Sequence, residues 1–129
     1  MNDEGGVMNE KPADIRERTK VFALRIIRLY GSLPKTTEAQ VIGKQVLRSG
    51  TSVGAHVREG KRSRSNAELI SKIEGGLQEL EETIYWLELL VDAGIVKAEL
   101  LKELLEEANE LIAILVTSAK TLKNGEKRQ

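Results

Sequence analysis

A chain of 129 residues with 40% apolar and 31% charged side chains is the size of one globular domain. It has no cysteine, which excludes disulfides, zinc–thiolate centres and thiol catalysis, and it has no apolar run near the roughly 18 residues that a membrane-spanning helix needs. Twenty basic and twenty acidic residues cancel, yet residues 11–64 carry a net charge of +9, residues 65–129 carry −6 and the first ten carry −3.

The opening MNDEGGVMNE is acidic and polar where a signal peptide is basic and then apolar, and reads as the start of a soluble, cytoplasmic protein. With Gly5, Gly6 and Pro12 the segment has no hydrophobic period, so residues 1–12 are expected to be a flexible tail ahead of a domain spanning 13–123. A first helix is predicted from about Asp14 to Ser32, stopped by the Gly31 to Pro34 stretch. Its apolar residues, Ile15, Val21, Phe22, Leu24, Ile26, Ile27, Leu29 and Tyr30, cover more than one stripe, which implies neighbours on two sides.

Thr36 or Thr37 offers a hydroxyl cap for a second helix that continues toward Gly60. Ile42, Val46, Ser49, Val53 and either His56 or Val57 recur every three or four residues. Gly43, Gly50, Gly54 and Ala55 sit among them. A glycine inside a helix costs about 1 kcal/mol against alanine, and the close approach of another backbone is the simplest reason for three of them.

The third helix is predicted from Ser65 or Asn66 to Ala93, on a seam of Ile70, Ile73, Leu77, Leu80, Ile84, Leu87 and Val91 spaced alternately by three and four. Leu69, Trp86, Leu89 and Leu90 lie beside that seam, and Gly75 with Gly76 suggests another tight crossing. Gly94 closes the helix. A fourth follows over about Val96 to Lys123, carrying Leu101, Leu104, Ala108, Leu111, Leu115 and Leu122, with a second stripe of Leu105, Ile112, Val116 and Ala119. NGEKRQ, residues 124–129, reads as a second flexible tail. Four long helices, short turns and no candidate strand make an all-α, up-and-down antiparallel four-helix bundle.

Chemistry is harder to find. Gly54 to Lys61 superficially evokes a phosphate-binding loop, but the spacing is wrong, Arg62 follows Lys61, and no strand precedes the run. His56 is the only histidine, so it cannot build a zinc site or supply the Glu-x-x-His pairs of a di-iron bundle, and a packing role at a helix contact is the expectation. Glu74, Glu79, Glu81, Glu82 and Glu88 on the third helix, and Glu99, Glu103, Glu106, Glu107 and Glu110 on the fourth, read as solvated faces or salt bridges to basic neighbours. No cofactor and no enzymatic activity are expected.

A basic surface remains. Arg58, Lys61, Arg62 and Arg64 follow one another around the end of the second helix, and Arg16, Lys20, Arg25 and Arg28 add charge from the first. Helix capping uses one or two such cations, so the cluster points to a polyanion, RNA or DNA, contacted through its phosphates. Phe22, Tyr30, Tyr85 and Trp86 lie on or near apolar faces and offer no stacking platform for single-stranded bases. An acidic face of another protein is the alternative partner.

The runs QVLRSGTSVGAHVREGKR, from Gln45 to Arg62, and LISKIEGGLQELEETIYWLELLVDAG, from Leu69 to Gly94, resemble the bacterial four-helix-bundle family encoded in intervening sequences of 23S ribosomal RNA genes. The similarity extends over about residues 14–120. It implies a homopentamer shaped as a tapered barrel, without enzymatic activity. It also implies kinship with the accessory protein of diversity-generating retroelements, whose basic surface works with a reverse transcriptase and its RNA. By that likeness Arg48, Ser49, Gly50, Thr51, Ser52, Gly54, Ala55, Glu59 and Gly60 correspond to the shared motif, a packing and assembly element together with Gly75, Gly76 and Trp86. His56 stands where asparagine is common in the family, and keeps a polar, hydrogen-bonding group there.

Overall fold

The structure, a computed structural model, describes residues 14–127. The expected tail over 1–12 lies outside the described residues. Four helices follow in chain order: α1 (Ile15–Ser32), α2 (Thr37–Gly60), α3 (Asn66–Asp92) and α4 (Ala98–Lys127). Each of the first three starts on a side-chain cap that satisfies an amide the first turn leaves unpaired. Asp14 accepts from the Arg16 amide at 2.8 Å, Thr36 from Ala39 at 3.4 Å and Ser65 from Glu68 at 3.1 Å. Gly94, at φ 74°, ends α3 in the left-handed conformation that glycine adopts without strain, while the Ile95 amide returns to the Leu90 carbonyl at 2.9 Å. α4 runs on past the predicted start of a tail to Lys127, with Asn124 and Gly125 exposed.

Short turns make consecutive helices antiparallel, so α1–α2, α2–α3 and α3–α4 pack as neighbours. The α2–α3 seam is the densest and the α1–α4 seam, which closes the bundle, the sparsest. One end holds the start of α1, the α2–α3 turn and the end of α4. The other holds the α1–α2 and α3–α4 turns. Phe22, Ile26, Val46, Val53, Leu80, Leu87, Leu101 and Leu111 form the centre of the core.

Two packing details depart from the expected stripes. On α3 the buried line is Ile70, Ile73, Gly76, Leu80, Thr83, Leu87 and Leu90, with Leu77, Ile84 and Val91 half-buried beside it. Gly76 and Thr83 occupy core positions facing α2: a Cβ on Gly76 would be in ordinary contact, 3.5 Å from Leu115 Cδ1 and 3.9 Å from the Val53 carbonyl oxygen, and Thr83 Oγ1 donates to Ser49 Oγ at 2.8 Å in the interior. Thr83 and Ser49 also bond the preceding turns of their own helices, through the Glu79 and Gln45 carbonyls.

On α2, Gly43, Gly50 and Gly54 all face α1, as close approach requires. A Cβ at Gly50 would meet Ile26 Cγ1 at 2.8 Å, and one at Gly54 would lie 3.3 Å from Thr19 Oγ1 and 3.7 Å from the Thr19 backbone. α1 is therefore drawn onto α2. Its expected burial on two sides is only half realised, since Val21, Leu24 and Ile27 remain 37%, 42% and 48% exposed. Gly50→Val places two methyls against fully buried Ile26 and is expected to lower stability by about 1–3 kcal/mol, read as a reduced urea midpoint. The same change at Gly31, which meets nothing within 4 Å and where valine is the better helix former, should be neutral or slightly stabilising.

Candidate nucleic-acid interface

The eight cations singled out in the sequence do not form one surface. Arg16, Arg58, Lys61 and Arg62 converge on a cleft with Asp14 and Glu17, where the start of α1 meets the end of α2. Arg25 and Arg28 line a separate groove at the opposite end, with Leu33, Val96 and Leu100. The reason is helix geometry: nine residues separate Arg16 from Arg25, about 14 Å of rise. Lys20 is exposed on the outer face of α1 and lines neither recess, and Arg64 sits in the α2–α3 turn, where its amide donates to Glu68 Oε1 at 3.0 Å.

Electrostatics divide the cleft further. Arg16 is engaged by Asp14, Nη2 to Oδ2 at 3.0 Å. The hydrogen bonds from Arg16, with Lys61 as a more distant charge, hold the Asp14 carboxyl below its usual range. Arg58, Lys61, Arg62 and Arg64 make no ion pair within 4.0 Å among the described residues, and all four are exposed. They are positive charge left over after the fold's own needs are met.

The packing motif is spent on other work. Arg48 reaches from α2 to α3, pairing with Glu79 at 3.3 Å and with Glu82. Trp86 Nε1 donates to the same Glu82 oxygen at 3.0 Å, and the Trp86 ring meets Tyr85 edge-on at 5.0 Å. These hydrogen bonds pull the Glu82 carboxyl below its ordinary value. Thr51 and Ser52 return their hydroxyls to carbonyls one turn back, and Ala55 is exposed. Tyr85 departs from the expected apolar setting: it is 53% exposed, at a position facing away from the core.

His56 lies on α2 where it meets α3. Its ring fills the space over Gly75, where a Cβ would lie 2.8 Å from Cε1 and Nδ1, and its Nε2 stands 3.8 Å from Glu79 Oε2. No group of three or more metal-ligating side chains occurs among the described residues.

The site that sequence reasoning missed is Arg18. It crosses from α1 to α4, bonding Glu107 through Nε at 2.8 Å and Nη2 at 2.9 Å and reaching Glu110 at 2.6 Å. Burial would discourage the charge, but the Glu107 hydrogen bond outweighs it and raises the guanidinium's pKa. Glu107 is buried although it lies outside the predicted leucine stripe, and the signal for it was only a carboxylate beside Ala108 on a half-apolar face. This fork ties the sparsest seam of the bundle.

Among the described residues the chain is an all-α four-helix bundle with exposed cations at one end, a fold that by itself assigns no activity. Residues 11–117 match the family model described as 23S rRNA-intervening sequence protein, and the chain belongs to that family. A crystal structure of a protein of unknown function from the S23 ribosomal protein family of Bacteroides thetaiotaomicron VPI-5482 has the same fold, with 36% identity and a TM-score of 0.79 over 83% of this chain and 99% of that one. No curated protein sequence matches the chain. No described helix is long and apolar enough to cross a membrane.

Two outcomes follow from the geometry. Glu82 is stabilised in its ionised form in the fold, so its contribution is fully present above the ordinary carboxylate range, near pH 4, and is lost as pH falls through its lowered folded value. Arg48→Met should flatten the acid limb of a urea-midpoint against pH curve. Arg18→Met leaves the buried Glu107 without its fork and is expected to cost about 2–4 kcal/mol, under the range for a fully buried pair because Glu110 is exposed, measured by denaturant unfolding at neutral pH.

Proposed function

We propose that the protein is a non-enzymatic, self-associating helical scaffold that binds RNA or DNA through the phosphate backbone, alone or within a ribonucleoprotein. The supporting observation is the group of four exposed cations, Arg58, Lys61, Arg62 and Arg64, without ion pairs among the described residues and gathered at one end of the bundle beside Arg16. Phosphates are the ligand that rewards such a group without demanding base readout, because each contact releases counterions. Homo-oligomerisation, as the homopentamer implied by the family resemblance, would repeat the basic end around an axis and multiply its attraction for one polyanion. Exposed Val21, Leu24 and Ile27 on α1 are apolar surface that such an assembly would cover. Cytoplasmic residence and a reverse transcriptase or other protein as co-partner belong to the same reading.

A protein-binding adaptor is the second reading, favoured by the groove at the opposite end, where Leu100 is 71% exposed beside Arg25 and Arg28.

The test is fluorescence anisotropy with a short RNA duplex and its DNA counterpart across a salt series, on protein whose subunit count is fixed by light scattering. Binding should fall steeply with salt. Arg58→Gln/Lys61→Gln/Arg62→Gln should weaken it and flatten the slope by about 0.9 per lost phosphate contact on DNA, while Arg25→Gln/Arg28→Gln should leave it nearly unchanged. Undetectable binding at low salt moves the assignment to the adaptor.

A further inference from the structure

The basic end of the bundle carries a second feature that phosphate binding does not use. Between α2, α3 and α4 lies a groove of about 640 Å³, with Val57, Ile73 and Leu115 as its floor and half-buried Ile15, Leu69 and Leu122 on its walls. Lys61 and Arg64 stand on its rim. Ser63, also in its lining, has a buried Oγ with no hydrogen-bond partner among the described residues. An apolar trough, a cationic rim and an unsatisfied hydroxyl together describe a receptor for a peptide that is apolar at its centre and acidic at its flanks.

The chain contains such a peptide. The thirteen residues before Asp14 carry Val7 and Met8 between Asp3, Glu4 and Glu10. They enter the fold at this end, since Asp14 lines the adjoining cation cleft and Ile15 lines the groove itself. Seven residues separate Val7 from Asp14, a reach of up to about 24 Å, against about 10 Å between neighbouring helix axes. Their negative charge complements the four cations that have no ion pair among the described residues, and tethering supplies a high effective concentration.

We propose that the chain's own N-terminal segment, residues 1–13, docks in this groove, with Val7 and Met8 against the apolar floor and its carboxylates toward Lys61, Arg62 and Arg64. The segment then competes with a polyanion for the same cations. This competition rests on the nucleic-acid reading; the docking does not.

Methyl-labelled full-length protein separates the two. In Val7→Ser/Met8→Ser the NMR signals of Leu69, Ile73, Leu115 and Leu122 should move from their wild-type positions, while those of Leu87 and Leu101, toward the other end, stay fixed. Unchanged groove methyls overturn the docking, as does a shift that disappears on dilution, which would make a second copy the occupant. In Asp3→Asn/Glu4→Asn/Glu10→Gln, RNA-duplex affinity at low salt should rise several-fold over wild type; equal affinity overturns the competition. RNA bound by neither form would remove the nucleic-acid reading and leave the methyl shifts to decide the docking.

Discussion

Helix α2 is gripped closely from two sides, and the rest of the molecule arranges itself around that constraint. Toward α1 it presents Gly43, Gly50 and Gly54, and fully buried Ile26 and Thr19 lie where side chains would otherwise stand. Toward α3 it offers Ser49, bonded in the dry interior to Thr83, with Gly76 facing the Val53 carbonyl nearby. Glycines weaken a helix in isolation, so α2 depends on tertiary packing, and that packing depends on the glycines.

The consequence appears at the opposite seam. With α1 drawn onto α2, few backbone contacts remain between α1 and α4, and a charged fork takes the place of a leucine seam. Arg18 satisfies both oxygens of buried Glu107 and reaches Glu110 as well. A buried ion pair adds little net stability against an apolar replacement, but it penalises any register in which the charges miss each other. The outward face of α1 is then left with Val21, Leu24 and Ile27 in water, an exposure that a lone bundle has no means of covering.

Charge is sorted by the same architecture. The acidic surplus of the second half is drawn upon by Arg18, Arg48 and Lys123, which pair with Glu107, Glu79 and Glu74. What is left over gathers at the α2–α3 turn, where four cations lie within seven residues of chain and carboxylates are few. A chain of zero net charge thereby carries, among the described residues, a group of exposed cations at one end.

The sequence by itself determined the four helices and a close approach at the glycines of α2, because the 3.6-residue period is a local property; it left the second cap open between Thr36 and Thr37, and the structure chose Thr36. The sequence likewise left the α4 carboxylates open between solvated faces and salt bridges, and the structure pairs Glu107 and Glu110 with Arg18. Only tertiary structure decided that Gly76 and Thr83 displace Leu77 and Ile84 from the buried line, since that depends on which face of α3 meets α2. It alone separated Arg25 and Arg28 from the other cations, along about 14 Å of helix, and chose Arg18 from a crowd of basic residues for the bundle's interior. A side chain's type is written in the chain, but its partner is set by which helix faces it and at what height.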